Sequence, residues 1–441
     1  MTARGRIPPA IGAGSHGACA DCRAPVSQPV ASVPVRDEEG AIRGRPASEQ
    51  GDGESTLGAA ANPPDAPQAP HAPRVAIDVA PVRPSPTGVG TYVRRLVRAL
   101  QVPEEARFPL IGARAGSVFD GDQLRVASRF RARHYHAWLQ RFADGDSRRT
   151  GASLVHYTNA GAPLRSSLPY VLTVHDLSVL RHPRYHPPLR LATLPLILAA
   201  VKRARAVIVP SAATKLELVR LFHVDGRRIA VVPHGRDAER PTPDPSERRR
   251  VLDRLGLEGS RFLVTTGTLE PRKNHERLIR AFHELATADP GLRLVIAGAH
   301  GWGSRQVMRA IAQAPLAQRI TVTGYLPEGE VDVLTAACAA FVYVSLYEGF
   351  GLPIVEAMAI GAPVVTSGRS AMPEAAGGAA VLVDPWSPSS IAQGIRSAMQ
   401  DAERLRAAGR AWSAERPWSE VGRETMRVYD RALDQRHGRR A

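Results

Sequence analysis

Residues 340–344 read Ala-Phe-Val-Tyr-Val, and residues 348–363 follow as Glu-Gly-Phe-Gly-Leu-Pro-Ile-Val-Glu-Ala-Met-Ala-Ile-Gly-Ala-Pro. A short apolar run without polar alternation is the pattern of a strand buried in a parallel sheet. Pro353 suits the first position of a helix and Gly361 its end, so the spacing predicts a strand, a glycine-rich turn and a helix in succession. Gly349 and Gly351 allow the backbone to approach a ligand closely, and the amides at the helix start near Leu352 favour negative charge. An anionic ligand is expected there. Glu348 in the turn and Glu356 in the first helical turn bracket that point, and carboxylates accept hydrogen bonds from hydroxyls, as a sugar would offer.

Two further segments repeat the strand–turn–helix pattern. Phe262–Thr266 reads as a strand, Gly267-Thr-Leu-Glu-Pro-Arg-Lys-Asn274 as the turn, and Leu278, Ile279, Ala281 and Phe282 as one face of a helix. Arg272 offers a planar fork and Lys273 a compact charge, together enough to neutralise a diphosphate without a metal ion. Lys273 is one of only three lysines in the chain, so its presence here is not explained by a general abundance of lysine. In the N-terminal half, Arg74–Val79 reads as a first strand, Pro86–Gly90 as a turn and Thr91–Leu100 as a helix. Val93 stands where the last glycine of Gly-x-Gly-x-x-Gly would fall, which argues against a dinucleotide cofactor. His175 follows the strand-like run Tyr170–Val174, at the sheet edge where α/β proteins place ligands. His156 and His234 follow similar patterns and read as loop-packing residues bordering the same cleft.

Glu348 and Glu356, separated by seven residues around Gly-Phe-Gly-Leu-Pro and followed by Met372-Pro-Glu-Ala-Ala376, resemble the donor-sugar signature of glycosyltransferase family 4. The resemblance covers residues 74 to about 430. It implies an α/β chain of the GT-B fold, with two facing Rossmann-like domains, parallel sheets and a cleft between them. It further implies a retaining, metal-independent transfer of a hexose by a front-face route without a covalent nucleophile. Arg272 and Lys273 would grip the diphosphate, and Glu348 and His175 the sugar. Glu356 would hold the ribose, and Gly88, Gly267, Phe350, Gly351 and Leu352 would contact the donor. Thr87 stands where many relatives carry another glycine. The motifs most resemble bacterial mannosyltransferases of surface-polysaccharide assembly. That makes GDP-mannose the first donor expected and UDP-glucose the second, with a glycan or lipid-linked glycan as acceptor. The nucleotide sugar is a substrate, and no cofactor or metal is expected.

At 441 residues the chain exceeds the roughly 250–300 at which a single core stops growing, so two domains are expected. Residues 73–240 and 260–410 are read as these domains, 241–259 as their linker, and 411–441 as a segment whose helix crosses back to the N-terminal domain. Residues 1–72, rich in Pro, Ala and Gly, read as a disordered tail. Cys19 and Cys22 there lack further ligands for a zinc site, and three cysteines in all suit a reducing cytoplasm. The net charge of +16 raises nucleic acid as a partner, yet no recognition signature accompanies it and aromatics are 5% of the residues, so none is expected. A peripheral contact with an anionic membrane is the alternative use of that charge. Leu189–Val201 is apolar with basic ends, is interrupted by Pro195, and is too short to span a bilayer; it is read as a packed domain helix. A nucleotide-sugar epimerase is the rival enzyme reading, and a basic nucleic-acid or membrane adaptor the rival outside enzymes.

Overall fold

The computed structural model describes residues 73–83, 87–104, 107–112, 135–236 and 244–434. The tail at 1–72, with Cys19 and Cys22, lies outside the described residues.

Twelve strands form two sheets. In the first, β1 (Val75–Asp78), β2 (Leu110–Ile111), β3 (Leu154–Tyr157), β4 (Tyr170–Thr173), β5 (Ala206–Val209) and β6 (Ile229–Val231) lie in the order β2-β1-β3-β4-β5-β6. In the second, β7 (Arg261–Thr266), β8 (Leu292–Ala297), β9 (Ile320–Gly324), β10 (Ala340–Tyr343), β11 (Val364–Ser367) and β12 (Val381–Val383) lie in the order β12-β11-β10-β7-β8-β9. Every pairing is parallel. Parallel strands need crossover helices on their faces, so both faces are covered and the strands become continuous apolar runs. The central strands β1, β3, β4 and β10 are buried along their whole length.

Strand order reverses between β7 and β10, and between β1 and β3. At such a switch point the helices leave on opposite faces, and a crevice opens beyond the C-terminal strand ends. The segments singled out by sequence lie there: Gly267 to Asn274 follows β7, and Glu348 to Gly351 follows β10.

The expected turn at Pro86–Gly90 is corrected by the structure, because the helix Gly88–Glu104 begins inside it. Neither Gly88 nor Gly90 has positive φ. Thr87 caps the helix: its Oγ1 accepts the Gly90 amide at 3.1 Å and its carbonyl accepts the Thr91 amide at 2.8 Å. Glu356 is also corrected, from the first turn to the second of the helix Leu352–Ile360, whose first turn holds no acidic residue. That helix ends at Gly361 with φ +87°, where the Ala362 amide donates to Ala357 O and closes the helix.

The segment read as a linker holds the helix Pro245–Arg254, capped by the Asp244 carboxylate and anchored by buried Val251 and Leu252. Within 189–201 the structure places short helices, Pro188–Leu191 and Leu194–Arg203, with Ile197 and Leu198 against the core of the first sheet. Among the described residues no helix is long and apolar enough to cross a membrane. The last helix, Trp418–Asp434, returns to the first sheet. Gly422 seats against Ala99 of the 88–104 helix, Arg205 donates to the Ala432 carbonyl, and the Tyr429 hydroxyl meets His156 Nδ1 at 2.7 Å.

Candidate functional site

Arg272 and Lys273 sit in a 3₁₀ turn, Pro271–Lys273, immediately beyond β7. Asn274 ends that turn in the left-handed region at φ +64°, a conformation asparagine tolerates better than most residues. Its side-chain amide donates to Val344 O at 3.0 Å and Pro385 O at 2.7 Å, tying the turn to the end of β10. Gly267, at φ +117°, lies where a side chain would press on the Lys273 stem: a Cβ there would be 3.3 Å from Lys273 Cε.

From the β10 side comes Glu348, only 8% exposed. Its Oε2 accepts from Arg272 at 2.6 Å and its Oε1 from Lys273 at 2.8 Å. The Tyr343 hydroxyl also donates to Oε1 at 3.0 Å and itself accepts a hydrogen bond from Lys273. Arg272 is held further by Glu270 at 2.7 Å and by the Tyr347 carbonyl at 2.9 Å. Burial alone would push the Glu348 carboxyl up, but the adjacent Arg272 and Lys273 outweigh it and hold the group down at about 2. For Arg272 and Lys273, burial disfavours the charge, and Glu348 more than restores it. Two cations and two carboxylates are thus paired in one largely buried cluster.

His175 lies on the opposite wall, beyond β4. Its Nε2 donates to the Thr158 carbonyl at 2.9 Å; because a carbonyl only accepts, Nδ1 is left with a lone pair for a hydroxyl. Burial lowers the basicity of the ring, which keeps that lone pair available. Its backbone touches the other domain: a Cβ on Gly349 would lie 1.7 Å from the His175 carbonyl oxygen. Ser211 Oγ donates to Gly349 O at 2.8 Å, the Leu177 amide donates to the Tyr347 hydroxyl at 3.2 Å, and Glu374 accepts from the Ala212 and Ala213 amides at 2.7 and 2.8 Å. The glycine turn is therefore one of the places where the two domains meet.

Arg272, Lys273 and Glu348 are thus in one cluster, and His175 faces it across the turn. Phe350 is buried with its ring 5.0 Å from His234, and Gly351, at φ +114°, starts the helix at buried Leu352. Glu356 is paired instead with Arg95 of the 88–104 helix, at 3.1 Å. Gly88 is exposed at the start of that helix, and a Cβ there would meet nothing within 4 Å. His156, read as a loop-packing residue, is corrected to a fully buried position on β3. Sequence reasoning assigned no role to Tyr343, Glu270, Asn274, Glu374 or Arg95. Glu270 and Asn274 carried a usable signal, since they flank Arg272 and Lys273 in the same turn.

Two parallel Rossmann-like sheets facing across a glycine turn define a GT-B protein. The pattern of the Glycosyltransferase Family 4 domain matches residues 86–240 and that of the Glycosyl transferases group 1 domain residues 248–412. O-antigen chain mannosyltransferase B of Escherichia coli is 31% identical over 265 residues, which cover 59% of this chain and 69% of that enzyme. D-inositol 3-phosphate glycosyltransferase 1 of Catenulispora acidiphila is 28% identical over 335 residues, 73% of this chain and 77% of that protein. Among solved structures, sucrose-phosphate synthase from Thermosynechococcus elongatus superposes with a TM-score of 0.66 at 19% identity, covering 82% of this chain and all of the other. The chain belongs to glycosyltransferase family 4.

Proposed function

We propose that the protein is a retaining hexosyltransferase that takes its sugar from a nucleotide diphosphate donor, with GDP-mannose as the preferred donor and a glycan or lipid-linked glycan hydroxyl as acceptor. The observation that carries the reading is the pair Arg272 and Lys273 at the switch point of the second sheet, each aimed at an anionic partner. In the transfer, the bond from the anomeric carbon to the diphosphate breaks, and charge develops on the departing oxygen. Preorganised N–H donors at that oxygen lower the barrier, and here Asn274, Tyr343 and Glu270 hold them in position. With two fixed positive charges beside the leaving group, the reaction needs no divalent metal. His175 Nδ1 accepts from a sugar hydroxyl, Glu348 contacts the hexose, and Glu356 holds the ribose.

Mannose is favoured because the Escherichia coli relative is a mannosyltransferase. A UDP-glucose donor is the second reading, and the 2-deoxystreptamine glucosyltransferase of Streptomyces kanamyceticus, 28% identical over 263 residues, is the reason to keep it open. Thermal shift with UDP-, GDP- and ADP-sugars tests the donor, since a ligand selective for the folded state raises the melting temperature. A shift with GDP-mannose, and release of GDP only when acceptor is added, are the expected results. Release without acceptor, or activity abolished by EDTA and restored by magnesium or manganese, would overturn the transfer reaction or its metal independence respectively.

A further inference from the structure

We propose that Glu348 is a built-in counter-ion, occupying the diphosphate's place on Arg272 and Lys273 in the free protein and displaced from it when the donor binds. The inference rests on the transferase reading and deepens it. Three observations support it. First, the carboxylate engages the same donors a diphosphate would: one guanidinium nitrogen at 2.6 Å and the ammonium at 2.8 Å. Its Oε1, which also accepts from Tyr343, has both lone pairs taken, so no sugar hydroxyl can be served at that oxygen while the pairing lasts.

Second, both cations are paired without a ligand. Arg272 and Lys273 are offset by Glu270 and Glu348, with all the side chains concerned largely buried. A buried cation pair without a counter-ion is strongly destabilised, so the free protein needs a carboxylate there. An entering diphosphate would meet that carboxylate as a like charge at contact distance, and turning it aside frees one guanidinium nitrogen and the ammonium for the anion. Arg272 Nε supplies one more buried N–H that has no partner among the described residues.

Third, the backbone of Glu348 is fixed, so any displacement falls to its side chain. Ser370 Oγ donates to the Glu348 carbonyl at 2.5 Å and accepts from its amide at 3.4 Å. In the proposed displacement, rotation about the side-chain bonds takes the carboxylate off the cations while the backbone stays in place. One residue thus holds the cation pair ready in the empty site and serves the sugar in the filled one.

Calorimetry with inorganic pyrophosphate, GDP and UDP tests the displacement. Glu348→Gln keeps the shape and removes the competing charge, so its affinity for pyrophosphate should rise on the order of tenfold or more, while hexose transfer falls. Equal or weaker pyrophosphate binding by Glu348→Gln, with binding still impaired in Arg272→Ala and Lys273→Ala, would overturn the displacement and leave the diphosphate assignment standing. Unchanged binding of all three ligands by Arg272→Ala and Lys273→Ala would overturn both. A crystal structure of the wild-type protein with pyrophosphate is independent of any variant's folding. Glu348 turned away from Lys273 supports displacement, and Glu348 still hydrogen-bonded to both cations beside the bound anion refutes it.

Discussion

Besides its ion pair with Glu348, Lys273 owes its position to uncharged neighbours. Asn274 pins the backbone to Val344 O and Pro385 O, and Tyr343 both bonds the ammonium and lies with its ring centroid 4.7 Å from it. Lys273→Ala should lower kcat on the order of 10²-fold, as losing one preorganised electrostatic donor does. Steady-state kinetics beside a melting curve separates that loss from misfolding, and near wild-type turnover would remove the residue from the mechanism. Asn274→Ala should act at one remove. It strands two buried carbonyls, costing about 1–3 kcal/mol, and lets the turn shift, so kcat falls with Lys273 intact. Arg272, Lys273 and Glu348 were legible in the sequence because charges in a glycine turn between an apolar strand and a helix have little purely structural use. Tyr343 was not, since on a continuous apolar strand its ring counts as core and nothing marks what its hydroxyl meets. Arg95 was hidden for another reason: it reaches Glu356 across 261 residues of chain, and no periodicity encodes a contact between domains.

At the scale of elements, the glycine turn is one of the devices that join the two sheets. Its Gly349 lies against backbone, not against a movable side chain, so a methyl group cannot be absorbed locally. Gly349→Ala should therefore hold the domains apart while each keeps its own core. The radius of gyration in solution should increase, and kcat should fall by roughly 10²-fold, the cost of about 1 Å of misplacement at a reacting centre. Unchanged solution scattering with full activity would mean that the closed contact is not needed for turnover. The strands β1, β4, β7 and β10 were readable because parallel sheets require unbroken apolar runs. The start of the 88–104 helix was misread because two glycines resemble a turn, whereas the deciding residue was Thr87, whose hydroxyl caps the first helical amides. The return of the last helix to the first sheet rests on contacts such as Tyr429 with His156, each distant in sequence. Tyr429→Phe leaves the His156 Nδ1 buried and unpaired, and should cost about 1–3 kcal/mol in a denaturant titration. No change in midpoint would show that the bond contributes nothing net.

For the whole molecule, acid should be the weak side of stability, and the cause lies in the first domain. His234 is stacked on Tyr92 at 4.8 Å and His175 meets it edge-on at the same distance, while fully buried His156 is linked to it through Thr173. Burial lowers the basicity of all three; His156 is taken down to about 3 from an ordinary 6.5, with nearby His175 contributing further. Its two 2.7 Å partners, Tyr429 and Thr173, are hydroxyls that can accept as well as donate, so it is burial away from water that keeps His156 neutral. The unfolded chain takes up protons on these rings as pH falls below 6.5, while the folded chain does not, so protons favour unfolding throughout that window. Glu348 adds a second, lower window. Its folded-state carboxyl titrates at about 2 against an ordinary 4.5, so the stability it confers is complete above 4.5 and is lost between those values. Melting temperature should therefore be flat from pH 8 to about 7, and decline from 6.5 downwards in wild type and Glu348→Gln alike. The gap between the two proteins should close only as pH drops from 4.5 towards 2, where protonated Glu348 becomes equivalent to the amide. A melting temperature constant down to pH 5 would contradict the neutral burial of the histidines, and a gap that closed already near pH 6 would contradict the strength of the Glu348 ion pairs.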